Sequence, residues 1–143
     1  MKRTTTIEHN GATYTAEPMI IKSTHLGNED HGILSAYLRC EGDSTGIAVG
    51  GYALDSYDEE KKQRIGTAYG LDHLLQILRV VGAESWEKIA GRQVMVLFWA
   101  GDGWGSKAVG IAHPIEDRVL IFEDHAAAWR EAAATDEPER GER

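Results

Sequence analysis

The segment TAYGLDHLLQILRVVG, from Thr67 to Gly82, constrains the fold more than any other part of the sequence. Its apolar residues recur every three or four positions, the spacing that lines one face of an α-helix. Thr67 is a typical N-cap, and Gly82 suits the left-handed position just past a helix end. These signals predict an amphipathic helix whose apolar face packs on another layer, with His73 at the edge of that face. The predicted face is Leu71, Leu74, Leu75, Leu78 and Val81.

Most of the remaining chain has strand character. Asn10-Gly11 joins two threonine-rich segments, as in a two-residue hairpin turn, and Pro18 is expected to end the second strand. The run from Val94 to Trp99 is apolar on both faces and predicts a central strand. The other predicted strands are MIIKSTHL, ILSAYLRCE, IAVGGYAL, SKAVGIAH and RVLIFE. The sequence therefore predicts an α+β fold: a largely antiparallel sheet, one amphipathic helix packed on a face, and a short C-terminal helix.

Length and charge narrow the classes of function. The 143 residues fit a single domain, predicted over residues 1–134, followed by a disordered acidic tail over residues 135–143. The net charge of −8 and the lack of a basic stripe argue against nucleic-acid binding. No run is long and apolar enough to cross a bilayer, and the first residues lack the apolar segment of a secretory signal. With one cysteine, Cys40, a cytoplasmic protein without disulfides is expected.

The stretch HLGNEDHG, from His25 to Gly32, is the first candidate site. His31 next to Asp30 could move a proton, could contact a ligand, or could belong to a plain hydrophilic turn. Histidines and carboxylates also bind zinc or iron, but the spacing matches no standard metal signature. No metal or cofactor is therefore predicted, and a non-metal ligand site competes with the turn interpretation.

Two further segments complete the predicted ligand surface. Gly50 and Gly51 interrupt a strand, which indicates a bulge or a close approach of backbone or ligand next to Tyr52. The standard phosphate-loop patterns are absent here. Trp104 lies in the glycine-flanked turn GDGWG, where an exposed indole could serve as a stacking platform. The predicted ligand-binding residues are His31, Asp30, Gly51, Tyr52 and Trp104; no catalytic residue is assigned.

Several of these segments together carry a family resemblance. The turn GNEDHG at Gly27–Gly32, the strand GGYALD at Gly50–Asp55, and the helix start GTAYGL with the later VGAESWE resemble a large family of small proteins encoded in bacteriophages and prophages. The resemblance extends from about Met19 to His113. It implies a phage or prophage origin, and it assigns no catalytic residues.

The phage resemblance and the residue patterns lead to three hypotheses about function, the third of which is a purely structural or assembly protein that uses the edge of the sheet. The first is a non-enzymatic binding protein that acts on a host protein or sequesters a small nucleotide-like molecule, as phage proteins directed against host defences do. The alternative is a small hydrolase or transferase in which His31 is the general base and Asp30 orients it. A metal ion that assists the reaction is compatible with this alternative. A homo-oligomer is also expected, because a sheet of short antiparallel strands leaves edges that natural proteins pair or cover.

Replacing His31 by Asn separates a site from a turn. Asn keeps the backbone preferences of a turn residue but has no proton to exchange near neutral pH. We expect His31→Asn to leave the melting temperature unchanged and to abolish the fitness advantage that the gene gives its phage. Equal fitness at equal stability would return this stretch to a purely structural role.

Overall fold

A computed structural model describes residues 5–43, 45–101 and 106–141; the side chains of residues 135–141 are outside that description. The strands are β1 Thr5–His9, β2 Ala12–Asp30, β3 Ile33–Glu41, β4 Gly46–Ala53, β5 Asp55–Asp58, β6 Gln63–Gly66, β7 Gln93–Trp99, β8 Gly110–Ala112 and β9 Val119–Ile121. The helices are α1 Ala68–Val81, a 3₁₀ turn at Trp86–Lys88, and α2 Phe122–Gly141. The main sheet has the order β4-β3-β2-β7-β8-β9 with β1 paired to β2, and its neighbouring strands are antiparallel. The predicted α+β class is confirmed.

The central position of β7 is also confirmed, and it divides the core into two parts. Val94 and Val96 point to the face that α1 covers and are fully buried there beside Ile77. Leu97 points to the opposite face and is fully buried against Tyr14. A strand that is apolar on both faces is stable only where both faces are covered, which explains why this segment lies inside the sheet.

The predicted strand break at Pro18 is wrong, because β2 runs without interruption from Ala12 to Asp30. The backbone groups of Thr13 and Ile21 bond toward β7, so alternate residues such as Pro18 face the other edge of β2. On that edge the described pairing with β1 reaches Ala16, opposite Thr5, and the pairing with β3 begins at Ile20. The N–H that proline lacks therefore falls between the described parts of two partner strands, where no ladder bond among the described residues is lost.

The ends of α1 match the prediction, but its buried face matches only in part, because Val81 is buried and Leu78 packs against the core. Thr67 Oγ1 accepts a hydrogen bond from Gly70 N at 2.9 Å, and Gly82 adopts φ 82°. Leu71 and Leu75, however, are 73% and 41% exposed. The buried side of the helix consists of Gly70, His73, Ile77, Val80 and Val81. Compared with the predicted stripe, the inward face is rotated by about 100°, roughly one residue of an α-helix.

Close packing at the start of α1 causes this rotation. A Cβ atom on Gly70 would lie 2.0 Å from the carbonyl oxygen of Leu54, so only glycine fits at this contact. Thr67 Oγ1 donates to the same carbonyl at 2.8 Å. Once Gly70 faces Leu54, the residues three and seven positions later, His73 and Ile77, must point inward as well.

The charged segment between β4 and α1 forms a small hairpin of β5 and β6. Arg64 on β6 donates two hydrogen bonds to the Asp55 carboxylate on β5, each of 2.9 Å. These bonds hold the pKa of Asp55 below its usual value. The hairpin leads directly into Thr67 and so fixes where α1 begins.

The backbone of α2 continues from Phe122 through the stretch of residues 135–141 that the sequence predicts to be a disordered tail. The boundary at residue 134 and the character of the tail stay predictions, and residues 142–143 lie outside the described chain. None of the described helices is long and apolar enough to cross a membrane.

A matched pair of alanine substitutions tests the orientation of α1. Ile77 is 2% exposed, whereas Leu75 is 41% exposed. We expect Ile77→Ala to lower the free energy of unfolding by about 2–5 kcal/mol through cavity formation. Leu75→Ala should lower it by less than about 1 kcal/mol, because it removes little buried surface. Urea denaturation measures both, and the reverse order would contradict this orientation.

Candidate functional site

The HLGNEDHG stretch forms the tip of the β2–β3 hairpin. His31 and Gly32 are the two turn residues, with φ values of 56° and 80°. Asn10 and Gly11, in the β1–β2 turn, have nearly the same angles of 48° and 80°. The turn is therefore shorter than the predicted GNEDHG, and its backbone geometry alone accounts for Gly32.

His31 and Asp30 do come within hydrogen-bond distance, as a proton-transfer pair requires. His31 Nδ1 lies 2.8 Å from Asp30 Oδ1, with side chains that are 91% and 75% exposed. Such exposure gives water free access to both groups and weakens their mutual attraction. Whether this pair belongs to a site stays a prediction. The described residues contain no group of three or more His, Cys, Asp or Glu side chains placed to hold a metal ion.

The paired glycines in β4 form the bulge that the sequence predicts. The register between β3 and β4 shifts here, with φ values of 112° for Gly50 and 90° for Gly51. A Cβ on Gly50 would lie 2.8 Å from the carbonyl oxygen of Ala36. The extra residue reverses the alternation of side chains along β4, and Tyr52 consequently packs on the same core as Val49.

The ring of Tyr52 lies near His73, whose predicted position on α1 is wrong. His73 is fully buried, not at the edge of the helical stripe. Burial disfavours the charged imidazolium and lowers the pKa of His73 to about 4, so the ring is neutral at physiological pH. Its ring centroid lies 5.6 Å from that of Phe122, 5.9 Å from Tyr69, and 6.1 Å from both Tyr52 and His125.

A carboxylate on α1 attaches α2 beside this ring. Asp72 Oδ2 lies 2.7 Å from His125 Nε2 and accepts a hydrogen bond of 3.2 Å from Trp129 Nε1. The bonds from His125, Trp129 and Gln76 hold the pKa of Asp72 below its usual value. Among the described side chains of α2, Phe122 and Ala126 are the buried apolar ones. The Asp72 bonds are therefore a main attachment of α2 to α1.

Four buried polar atoms in this region have no hydrogen-bond partner among the residues that the structure describes. They are Tyr69 Oη, His73 Nδ1, His73 Nε2 and His125 Nδ1. A buried polar atom without a partner typically costs about 1–3 kcal/mol, and such atoms are rare in native proteins. Their concentration in one place makes this region the candidate functional site. We call Tyr52, Tyr69, His73, Phe122 and His125 the histidine–tyrosine cluster.

The structure thus separates the predicted site residues. Asp30 and His31 lie at the hairpin tip, whereas Gly51 and Tyr52 lie at the bulge, from which Tyr52 enters the histidine–tyrosine cluster. Trp104 lies outside the described residues.

Four residues of this candidate site were not predicted from the sequence: Tyr69, Asp72, His73 and His125. The signal that could have found the first three is Gly70, because a glycine inside a helix indicates a close contact and therefore an inward face. Nothing local connects His125 to them, since it lies 53 residues after Asp72.

The fold and the site define an α+β domain with a partly polar core between its two helices and its sheet. Comparison with protein-family models, with curated proteins and with solved structures finds no match.

The burial of a neutral His73 makes stability depend on pH. Its pKa is about 4 in the folded chain, against 6.5 when unperturbed, so the unfolded chain binds more protons between these values. Stability should therefore be full above pH 6.5 and fall as the pH drops to 4, by about 3 kcal/mol in total. Urea denaturation at pH 7, 5.5 and 4.5 measures this loss.

We expect His73→Phe to flatten this pH dependence. His31→Asn, which removes an exposed ring, is the control and should keep the wild-type slope. An unchanged slope in His73→Phe would contradict the burial of a neutral imidazole.

Proposed function

We propose that this chain is a non-enzymatic binding protein of phage or prophage origin that sequesters a small nucleotide-like molecule in the histidine–tyrosine cluster. The observation that carries the proposal is the group of four buried polar atoms that have no hydrogen-bond partner among the described residues and are surrounded by aromatic rings. A planar heterocycle can stack on such rings and can supply the missing hydrogen bonds at the same time. In this proposal the protein acts in the cytoplasm of the host cell, against a defence that depends on such a molecule.

Of the two targets that the sequence analysis allows, the small molecule fits better than the surface of a host protein. A protein surface needs exposed groups, whereas His73 is fully buried. Entry of a ligand requires movement of α2, which the Asp72 bonds attach without a large apolar interface. Segments that admit ligands are generally among the less stable parts of a protein, and this proposal assigns that role to α2.

The side chain of Lys107 lies next to the cluster and is suited to an anionic substituent of the ligand; Arg130 also interacts electrostatically with Tyr52 and Tyr69. Lys107 Nζ lies 5.6 Å from the ring centroid of Tyr52. A cation over an aromatic face is weakly attracted to it and stays available to an anionic group such as a phosphate. A nucleotide could therefore place its base among the rings and its phosphate near Lys107.

The enzyme alternative is supported by a different pair of residues from the one first considered. Asp72 orients His125 through a 2.7 Å contact, and the other ring nitrogen of His125, Nδ1, is buried without a hydrogen-bond partner in the described part of the chain. A carboxylate that orients an imidazole in this way is the arrangement of a general base. A small hydrolase or transferase using Asp72 and His125 is the second candidate function.

Native mass spectrometry of protein purified from bacterial cells separates the candidates. We expect a retained molecule with the mass of a nucleotide or nucleoside. A bound metal, or turnover of an added nucleotide, would support the enzyme instead. A homo-oligomer with no retained small molecule would favour an assembly role.

Substitution of Tyr52 tests the location of the ligand. Stacking of a base on an aromatic ring contributes about 1–3 kcal/mol. We expect Tyr52→Ala to weaken binding of the retained nucleotide by about fivefold or more, measured by isothermal titration calorimetry. Tyr57→Ala is the control, because Tyr57 is 51% exposed on the β5–β6 hairpin and should leave affinity unchanged. Equal affinities in the two variants would place the ligand elsewhere.

A further inference from the structure

The unpartnered atoms of the histidine–tyrosine cluster include both hydrogen-bond donors and acceptors, and this combination restricts the class of ligand. The inference rests on the proposed function. The first step concerns His125. An ionised carboxylate accepts hydrogen bonds and donates none, so the Nε2 atom that faces Asp72 Oδ2 at 2.7 Å carries the proton. In the neutral ring the other nitrogen, Nδ1, is then a bare acceptor. It is buried and unpartnered among the described residues, so it needs a donor from the ligand.

The second step concerns His73 and Tyr69. A neutral imidazole has one N–H donor and one acceptor nitrogen, and both nitrogens of His73 are buried without a described partner. The Tyr69 hydroxyl is also unpartnered and can donate one hydrogen bond. Together with His125, the cluster therefore presents at least two acceptors and two donors.

The third step excludes charged ligands from the interior of the cluster. An anionic group would meet two bare nitrogen lone pairs and the nearby Asp72 carboxylate. A cationic group would suit these acceptors and the aromatic faces, but it would leave the donors of His73 and Tyr69 unpaired. A neutral group with both donors and acceptors can form a hydrogen bond with each of the four buried polar atoms.

We infer that the part of the ligand bound inside the cluster is an uncharged planar heterocycle with both N–H donors and acceptor atoms on its edge, as in the oxopyrimidines and oxopurines. The centroids of Tyr52, Phe122 and His73 lie 5.6–6.1 Å apart, so these rings must separate to admit the ligand ring, whose edge then faces the polar atoms of Tyr69, His73 and His125. Any phosphate remains outside, on the side of Lys107.

Two matched pairs of compounds test the inference: uracil with 1,3-dimethyluracil, and theophylline with caffeine. In each pair methyl groups replace N–H donors and leave the carbonyl acceptors in place. We expect wild-type protein to bind the N–H member of at least one pair tenfold or more tightly than its methylated partner, by calorimetry. Benzoate and benzylamine, as anionic and cationic aromatic probes, should bind more weakly than that N–H member.

Nuclear magnetic resonance gives a readout that does not depend on ligand size. The ¹⁵N shift of His125 Nδ1 should be that of an unprotonated nitrogen in the free protein. It should move when uracil or theophylline binds and hydrogen-bonds to it. A protonated Nδ1 in the free protein would overturn the assignment of His125 as an acceptor.

Substitution of His73 completes the test. His73→Phe removes two unpartnered polar atoms but keeps a flat ring, so at pH 7 it should keep or raise the melting temperature and weaken binding of the N–H compound tenfold or more. His73→Gln keeps one donor and one acceptor and should bind more tightly than His73→Phe. If His73→Phe binds as tightly as wild type, the inference is wrong.

The outcomes also separate this inference from the proposed function. Binding of the methylated compounds as tightly as their N–H partners would overturn the inferred edge chemistry and leave a stacking site in place. If neither the four compounds nor any nucleotide or nucleoside binds, the proposed function fails together with the inference.

Discussion

The contact between Gly70 and the backbone of Leu54 determines how the rest of the site is arranged. A Cβ at position 70 would lie 2.0 Å from the Leu54 carbonyl oxygen, so the helix approaches the chain after β4 as closely as backbone atoms permit. Thr67 bonds to the same carbonyl and begins the helix there. This contact sets the rotation of α1 about its axis. His73 faces the core and Leu71 faces solvent for that reason, although leucine is the more apolar side chain.

The same rotation leaves the core with polar atoms that no described residue satisfies. Packing Leu71 or Leu75 inward would bury more apolar surface, and each unpartnered polar atom typically costs about 1–3 kcal/mol. Sites that bind ligands often carry such a loss of stability, because the groups that recognise a ligand must stay unpaired without it. The attachment of α2 through Asp72 agrees with this view, since a polar attachment separates more readily than a large apolar interface.

Two histidine–carboxylate pairs in this chain show how strongly environment determines what a pair can do. His31 with Asp30 and His125 with Asp72 have nearly equal separations, 2.8 and 2.7 Å. The first pair is exposed at a hairpin tip, where water competes for both partners. In the second pair the side chains are 12% and 28% exposed, and the free nitrogen of His125 is buried among aromatic rings. A fixed tautomer and a low local dielectric make the second pair far better suited to recognition or proton transfer.

The sequence by itself determined the class of fold, because it depends on local patterns. The turn at Asn10-Gly11, the doubly apolar strand β7, the bulge at Gly50-Gly51 and the two ends of α1 all follow from the preferences of a few neighbouring residues. Tertiary structure decided which side of α1 is buried. It allowed β2 to continue past Pro18, because that residue lies between the described parts of two partner strands. It also brought Tyr52, His73 and His125 together. These outcomes depend on contacts between residues far apart in the chain, such as Gly70 with Leu54 and Asp72 with His125, and a pattern within one segment does not identify the distant partner.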